Sequence, residues 1–453
     1  MKFLDKPNSA AKNFYISSAF WVCVATLYGL TAAVELVAPD IFANIPELLF
    51  GRIRPIHINL VLFGFLTPSL IGTALYLVPL LTQTKLYSER LANIAMIIWN
   101  IFTAAAVFTL SGGKTQGREY AELIWPIDIL VIISFLILTF VVVKTILNRK
   151  ENLMFVSLWY IAGAFIWTSV LYTLGNVVWN PETGALKGTT DAIWLWFYGH
   201  NIFGLLLTPL AVAAAYYIIP RVTGAPIYSH TLSLIGFWML LVMYTHIGTH
   251  HLIQAPVPQW LKVISIVDSI GMLVPVMTFL TNVWLPLKER FSTFYKEIAG
   301  KYVFAGTFFY FIVCIQGPLQ SLPSVQRITH FNNWVVAHAH LALLGFAGFI
   351  AVGAMYYFLP KVSGREIYSK TLANFQYWLL MIGVNGFFLV LTAVGLVQGS
   401  SWLHGETIYR VLPEMVPYFT IRALLGVLIV AGFIIGFYNV IMTLVKGKEI
   451  RSV

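Results

Sequence analysis

In the run Trp334-Val335-Val336-Ala337-His338-Ala339-His340-Leu341, two histidines stand two residues apart among apolar neighbours. On an α-helix each residue turns by about 100°, so the two imidazoles leave on nearly opposite sides. They cannot share one metal ion as a pair four residues apart would. One ring on each side can instead hold one planar cofactor on each side, and the expectation is two haems flanking this helix. The pair alone is equally compatible with two rings satisfied by neighbouring hydroxyls or carbonyls, so other residues must decide.

A second constellation lies upstream. Tyr198-Gly199-His200-Asn201 supplies one imidazole, and Tyr244-Thr245-His246-Ile247-Gly248-Thr249-His250-His251 supplies an adjacent pair in an apolar run. Such a pair is costly in a membrane span unless it is used. Three imidazoles, His200, His250 and His251, suit copper. Tyr244 precedes His251 by seven residues, which on a continuous helix puts it on the same face about two turns away. Ser233 extends that face and suits proton delivery; bonding across helices is the alternative for its hydroxyl. His246 shares the His250 face and ranks lower as a ligand. A third segment, Gly51-Arg52-Ile53-Arg54-Pro55-Ile56-His57, puts Arg54 one turn from His57, where a guanidinium could pair with a haem propionate. His330 is either a second propionate partner or a loop histidine. Glu119 and Glu122 in the loop Thr115–Glu122 could bind a hard cation such as calcium through oxygen, or be solvated.

These residues need elements to carry them. Of the 453 residues, 59% are hydrophobic and 10% charged, with mean hydropathy +0.80. A spanning helix needs about 20 apolar residues. Twelve such stretches occur, near 14–38, 53–82, 90–112, 124–148, 155–177, 191–219, 231–253, 258–286, 301–320, 331–359, 371–397 and 416–446. The chain therefore reads as an all-α integral membrane protein with one membrane domain, 1–453. Its first residues show no cleavable-signal pattern. The net charge of +10 is not a nucleic-acid signal, because it alternates with topology. With the N-terminus inside, 19 of the 28 Lys+Arg fall on inner segments, as the positive-inside rule requires. Both termini are then cytoplasmic, in a bacterial or archaeal inner membrane. Cys23 and Cys314 are the two cysteines, and no Cys-x-x-Cys-His occurs, so no haem attaches covalently through that motif.

The chain also repeats itself. Tyr-x-x-Pro-type endings at Pro79, Pro220 and Pro360 lie 141 and 140 residues apart, each followed by Tyr-Ser at Tyr87-Ser88, Tyr228-Ser229 and Tyr368-Ser369. Each proline marks the end of the second span of a block, so twelve helices read as three pseudo-symmetric four-helix blocks. His57 and His338 each lie 22 residues before their proline, and His200 and His340 each lie 20 before theirs. With His250 and His251 at the far end of the seventh span, six imidazoles converge on one level. The fourth and fifth spans look structural. Arg422, near the expected start of the last span, reads as an interfacial anchor.

These segments, together with Gln116 through Glu122 and Tyr418 through Leu424, resemble the catalytic subunit of haem-copper oxidases, most closely the C-type or cbb3-type cytochrome c oxidases. The resemblance covers nearly the whole chain. It implies a low-spin haem b held by His57 and His340, a high-spin haem b bound by His338, and copper held by His200, His250 and His251. It also implies a covalent bond between the tyrosine at Tyr244 and the histidine at His200, calcium at Glu119, and electrons from membrane-anchored cytochrome c subunits. The implied reaction reduces O2 to water with proton translocation, Tyr244 supplying one electron and one proton. One departure stands out: Gln316 occupies the place of an acidic residue before Gly317-Pro318. The rival within the superfamily is nitric oxide reductase, with iron in place of copper and glutamates near it; His200 through Ala211 contains no carboxylate. A transporter with threefold-related helices, binding no haem, is the rival of another class.

Overall fold

The computed structural model describes residues 4–176 and 186–450, and the described residues are almost wholly helical. Twelve helices are long and apolar enough to cross a membrane: α1 Ser9–Glu35, α2 Phe50–Thr82, α3 Glu89–Ser111, α4 Trp125–Leu147, α5 Val156–Asn176, α6 Gly188–Thr223, α7 His230–Leu252, α8 Gln259–Lys296, α9 Ile298–Ser321, α10 Asn333–Ser363, α11 Lys370–Leu403 and α12 Ile408–Lys446. The chain is an integral membrane protein. All twelve expected spans are present, and the main differences are at their ends. α8 runs on to Lys296 and α12 begins at Ile408, both beyond the apolar runs that announced them. Helix hydrogen bonding does not stop where hydropathy does, so polar turns continue past the apolar stretch.

The threefold repeat is built from matching local devices. α2, α6 and α10 end on Gln83, Gly224 and Gly364, all at positive φ (52°, 67° and 69°). The amide of each bonds back to the carbonyl of Pro79, Pro220 or Pro360. The prolines thus sit in the last turn, with the helix running three residues past each of them, rather than at its final residue. The repeated Tyr-Ser explains itself at the next helix. Ser88, Ser229 and Ser369 cap α3, α7 and α11, their hydroxyls accepting from the amides of Leu91 (3.1 Å), Leu232 (3.2 Å) and Leu372 (3.2 Å).

A further repeat is absent from the sequence pattern. Directly below the histidines, α2, α6 and α10 widen into i→i+5 turns over Leu60–Leu66, Phe203–Leu207 and Leu341–Gly348. Two of these end at Thr67-Pro68 and Thr208-Pro209. A proline inside a helix lacks an amide and crowds the preceding turn, and a wide turn absorbs both defects. Each wide turn also contains a glycine that a neighbour packs against: Gly64 under Trp21, Gly204 under Tyr244, Gly345 under Phe309.

α2, α6 and α10 meet one another at the centre, and α1 packs on α12, closing the outer ring. The most hydrophobic windows of α2 and α6 are 89% and 94% buried, whereas that of α10 is 56% buried, since part of its surface faces a cavity.

α4 and α5, read from the sequence as structural, share a buried polar tie. Asp128 is fully buried and accepts from Tyr172 (2.7 Å) and Gln116 (2.7 Å). This pairing ties the loop after α3 to both helices; a buried carboxyl needs such partners.

Candidate functional site

α10 divides the site in two. On one side His340 faces His57 of α2, with ring centroids 6.3 Å apart and planes 18° from parallel. Each Nδ1–H donates to a backbone carbonyl at 2.8 Å, His57 to Ala25 and His340 to Val336. Those bonds fix the tautomer and leave each Nε2 with a free lone pair. Metal–imidazole bonds of about 2 Å would set the centres of two axial rings roughly 6 Å apart across one ion. The observed spacing fits one porphyrin iron between them. Gly29 of α1 makes room: a Cβ there would lie 2.6 Å from His57 Cε1 and 2.8 Å from Nδ1.

On the other side His338 faces a cavity with about 1150 Å³ of empty space, whose wall also carries His200, Tyr244, His250 and His251. One ring nitrogen from each of His200, His250 and His251 lies within 4.8 Å of the other two. The Nδ1 of His200 is buried without a hydrogen-bond partner. An orphaned lone pair in such a cluster is what a bound metal ion satisfies, and the donor set fits copper. His250 Nδ1 pairs with Ser269 Oγ at 2.9 Å, and Gln326 Nε2 donates to the His250 carbonyl at 2.8 Å. His251 stacks on Trp196 at 3.9 Å. The Tyr244 ring lies 4.5 Å from that of His200 and 24° from parallel. No carboxylate lines the cavity among the described residues.

The chain reaches this arrangement by breaking a helix. The α-helical part of α7 stops at Tyr244, and Ile247–Leu252 is wound more tightly, in i→i+3 turns. The seven-residue spacing of a continuous helix therefore does not apply, and the tighter winding lets both His250 and His251 face the cluster. His246 turns away to Asp268, at 3.2 Å. Ser233 is buried, but its hydroxyl donates to the His230 carbonyl at 2.6 Å. His338 Nδ1 pairs with Oε1 of Gln316 at 3.3 Å, so the residue that departs from the family pattern touches a site histidine.

The loop after α3 is a clamp rather than a solvated turn. Arg54 donates to both carboxylate oxygens of Glu119. Arg118 donates to the Gly175 carbonyl at 2.7 Å and pairs with Asp191 at 3.1 Å. Glu122 accepts from Asn59 (3.0 Å) and from the Tyr120 amide (3.1 Å), and burial pushes its carboxyl up to about 7. His330 stacks on Phe331 (3.7 Å) with Nδ1 unpaired, and partial burial holds its imidazole below the ordinary range.

Arg422 lies elsewhere than its place in the sequence suggests. It is 9% exposed, beside the His57–His340 pair, not an interfacial anchor. Gly29, Ser269 and Trp196 also belong to the site, though nothing in their local sequence distinguishes them from packing residues.

Residues 9–428 match the family model described as "Cytochrome C and Quinol oxidase polypeptide I". The chain is 31% identical over 451 residues to the "Cbb3-type cytochrome c oxidase subunit CcoN1" of Stutzerimonas stutzeri, covering 96% of this chain and 95% of that one. It is also 31% identical over 449 residues to the "Cytochrome c oxidase subunit 1 homolog" of Agrobacterium tumefaciens (96% and 83%). A nitric oxide reductase chain of Stutzerimonas stutzeri is more distant, 24% identical over 471 residues (95% and 94%). Among solved structures, a heme-copper terminal oxidase dimer studied by cryo-EM shares the fold, with TM-score 0.80 at 18% identity, over 97% of this chain and 85% of that one.

Proposed function

The chain belongs to the cytochrome c and quinol oxidase polypeptide I family, as a haem-copper oxidase subunit I of cbb3 type, and from that premise we propose how its residues share the work. Its activity is that of a cytochrome c oxidase. His57 and His340 hold a low-spin haem b, His338 a high-spin haem b, and His200, His250 and His251 copper. Bound there, the high-spin iron and the copper supply the metals between which O2 is reduced to water. The observation that carries this reading is the three-nitrogen cluster, which shares one cavity with His338 and has no carboxylate in the wall among the described residues.

The protein's own part is placement. The backbone carbonyls of Ala25 and Val336 hold two rings in the tautomer that offers Nε2. Ser269 and Trp196 fix His250 and His251. Tyr244, beside His200 at the cavity wall, donates one proton and one electron, and a covalent bond to His200 would hold it there. Apolar residues such as Val313, Leu343 and Phe346 line the same wall and keep bulk water from the reacting oxygen. Arg54 and His330 attend the haem propionates. Calcium binds at Glu119, whose carboxylate keeps lone pairs beyond the two that Arg54 engages. Membrane-anchored cytochrome c subunits deliver electrons, protons are translocated, both termini face the cytoplasm, and residues 1–453 act as one membrane domain.

The test is a metal count on purified protein, paired with oxygen and nitric oxide assays. About one copper per two haem irons, with oxygen consumption, is expected. A third, non-haem iron with nitric oxide turnover and no copper would move the chain to the reductase class.

A further inference from the structure

Arg422 carries a charge that nothing among the described residues of the bundle balances. It lies fourteen residues into α12 and is nine-tenths buried. Its Nε has no hydrogen-bond partner, and among the described residues no carboxylate lies within ion-pairing distance. Its guanidinium carbon sits 5.4 Å from the centre of the Phe387 ring, and Phe387 packs on His340 at 4.6 Å. Both His57 and His340 lie within its electrostatic reach. A buried, unpaired cation in a membrane span is costly and is kept for a use. For the fold alone, an apolar residue of the same volume would serve as well or better.

We propose that Arg422 sets the reduction potential of the low-spin haem between His57 and His340, holding it high by placing a fixed positive charge beside it. Both axial rings are neutral, so uptake of one electron turns ferric iron to ferrous and removes one positive charge from the haem. A fixed cation one phenyl ring removed from His340, in a medium of low dielectric, opposes the ferric form more than the ferrous. The electron comes from the donor that the oxidase reaction already uses, and Arg422 neither gains nor loses a proton. Phe387 supplies the other half of the device. Its ring face holds the guanidinium in place without neutralising it, as a carboxylate would. Arg422 is thus a positioning and tuning residue, and electron entry is the step it favours.

The inference rests on the assignment of His57 and His340 as axial ligands, and the experiment separates the two. His340→Ala in the intact oxidase comes first: loss of the low-spin signal with carbon monoxide binding retained confirms the haem position, and survival of both signals defeats that assignment whatever Arg422 does. Redox titration of Arg422→Met and Arg422→Gln then tests the charge. The equilibrium constant for reducing the low-spin haem should fall about tenfold or more, 59 mV for a one-electron couple, with the high-spin haem shifted less. Arg422→Lys should stay close to the parent. Thermal stability of Arg422→Met should not fall. An unchanged low-spin potential in the neutral variants would overturn the proposal. So would failure of both neutral variants to assemble, since the residue would then be holding the fold.

Discussion

Gly29→Ala offers a sharp trial of the low-spin side. The new Cβ would stand 2.6 Å from His57 Cε1 and 2.8 Å from Nδ1. Non-bonded carbons rest at about 3.5–4.0 Å, so the imidazole must withdraw by roughly 1 Å. That movement stretches the 2.8 Å bond from Nδ1 to the Ala25 carbonyl beyond hydrogen-bonding range. Losing the bond costs about 1 kcal/mol, and overpacking a tight contact costs about 1–3 kcal/mol. Together, about 2–4 kcal/mol corresponds to roughly 30- to 1,000-fold weaker retention of the low-spin haem. The assay is haem content per chain with reduced-minus-oxidised spectra and carbon monoxide binding. Low-spin haem should be lost while the carbon-monoxide-binding haem remains. Gly51→Ala, where a Cβ meets nothing within 4 Å, serves as the control and should be neutral. Parental low-spin haem in Gly29→Ala would show that His57 is not held as described.

Three further outcomes are expected. Tyr244→Phe should abolish oxygen turnover with both haems retained, and tryptic digestion of the parent should yield residues 188–221 and 222–262 as one joined peptide; separate peptides would refute the bond to His200. Gly204→Ala drives a methyl group into the Tyr244 ring, so turnover should fall at least tenfold with copper content reduced, and normal turnover would reject the placement of Tyr244. Glu122 titrates near 7 when buried, against 4.5 as its ordinary value. Its neutral form is the one the fold favours, so its contribution is complete below about pH 4.5 and is lost as pH rises through about 7. Glu122→Gln should therefore melt above the parent at pH 8, by up to about 3 kcal/mol in stability, with the gap closing by pH 5; a gap independent of pH would show that Glu122 is not held neutral.

The sequence reveals the spans, the block structure and the common level of six histidines, because hydropathy and imidazole spacing survive without tertiary context. It does not reveal where helix geometry changes. His250 and His251 would diverge on a regular helix, and only the tighter winding after Tyr244 brings both to the cluster. Arg422 is misplaced for a related reason. A span judged to start at 416 puts it near the surface, whereas the real start at Ile408 carries it well inside. Asp128 is invisible because its partners, Tyr172 and Gln116, are distant in the chain or in a loop. His246 is as well spaced as its neighbours, and it is Asp268, on another helix, that removes it.

The wide turns beneath the histidines bear on how such a chain can change length. A turn of that kind holds one residue more than a regular turn of similar height. Each inner helix therefore has a spare position at Leu60–Leu66, Phe203–Leu207 or Leu341–Gly348. Elsewhere in a membrane helix, excising a residue swings everything beyond it by about 100° and scrambles its packing. Here an excision can heal into an unbroken ladder, with each half keeping its original face. These three levels are where descendants of this chain could shed a residue and still deliver their imidazoles to the same plane.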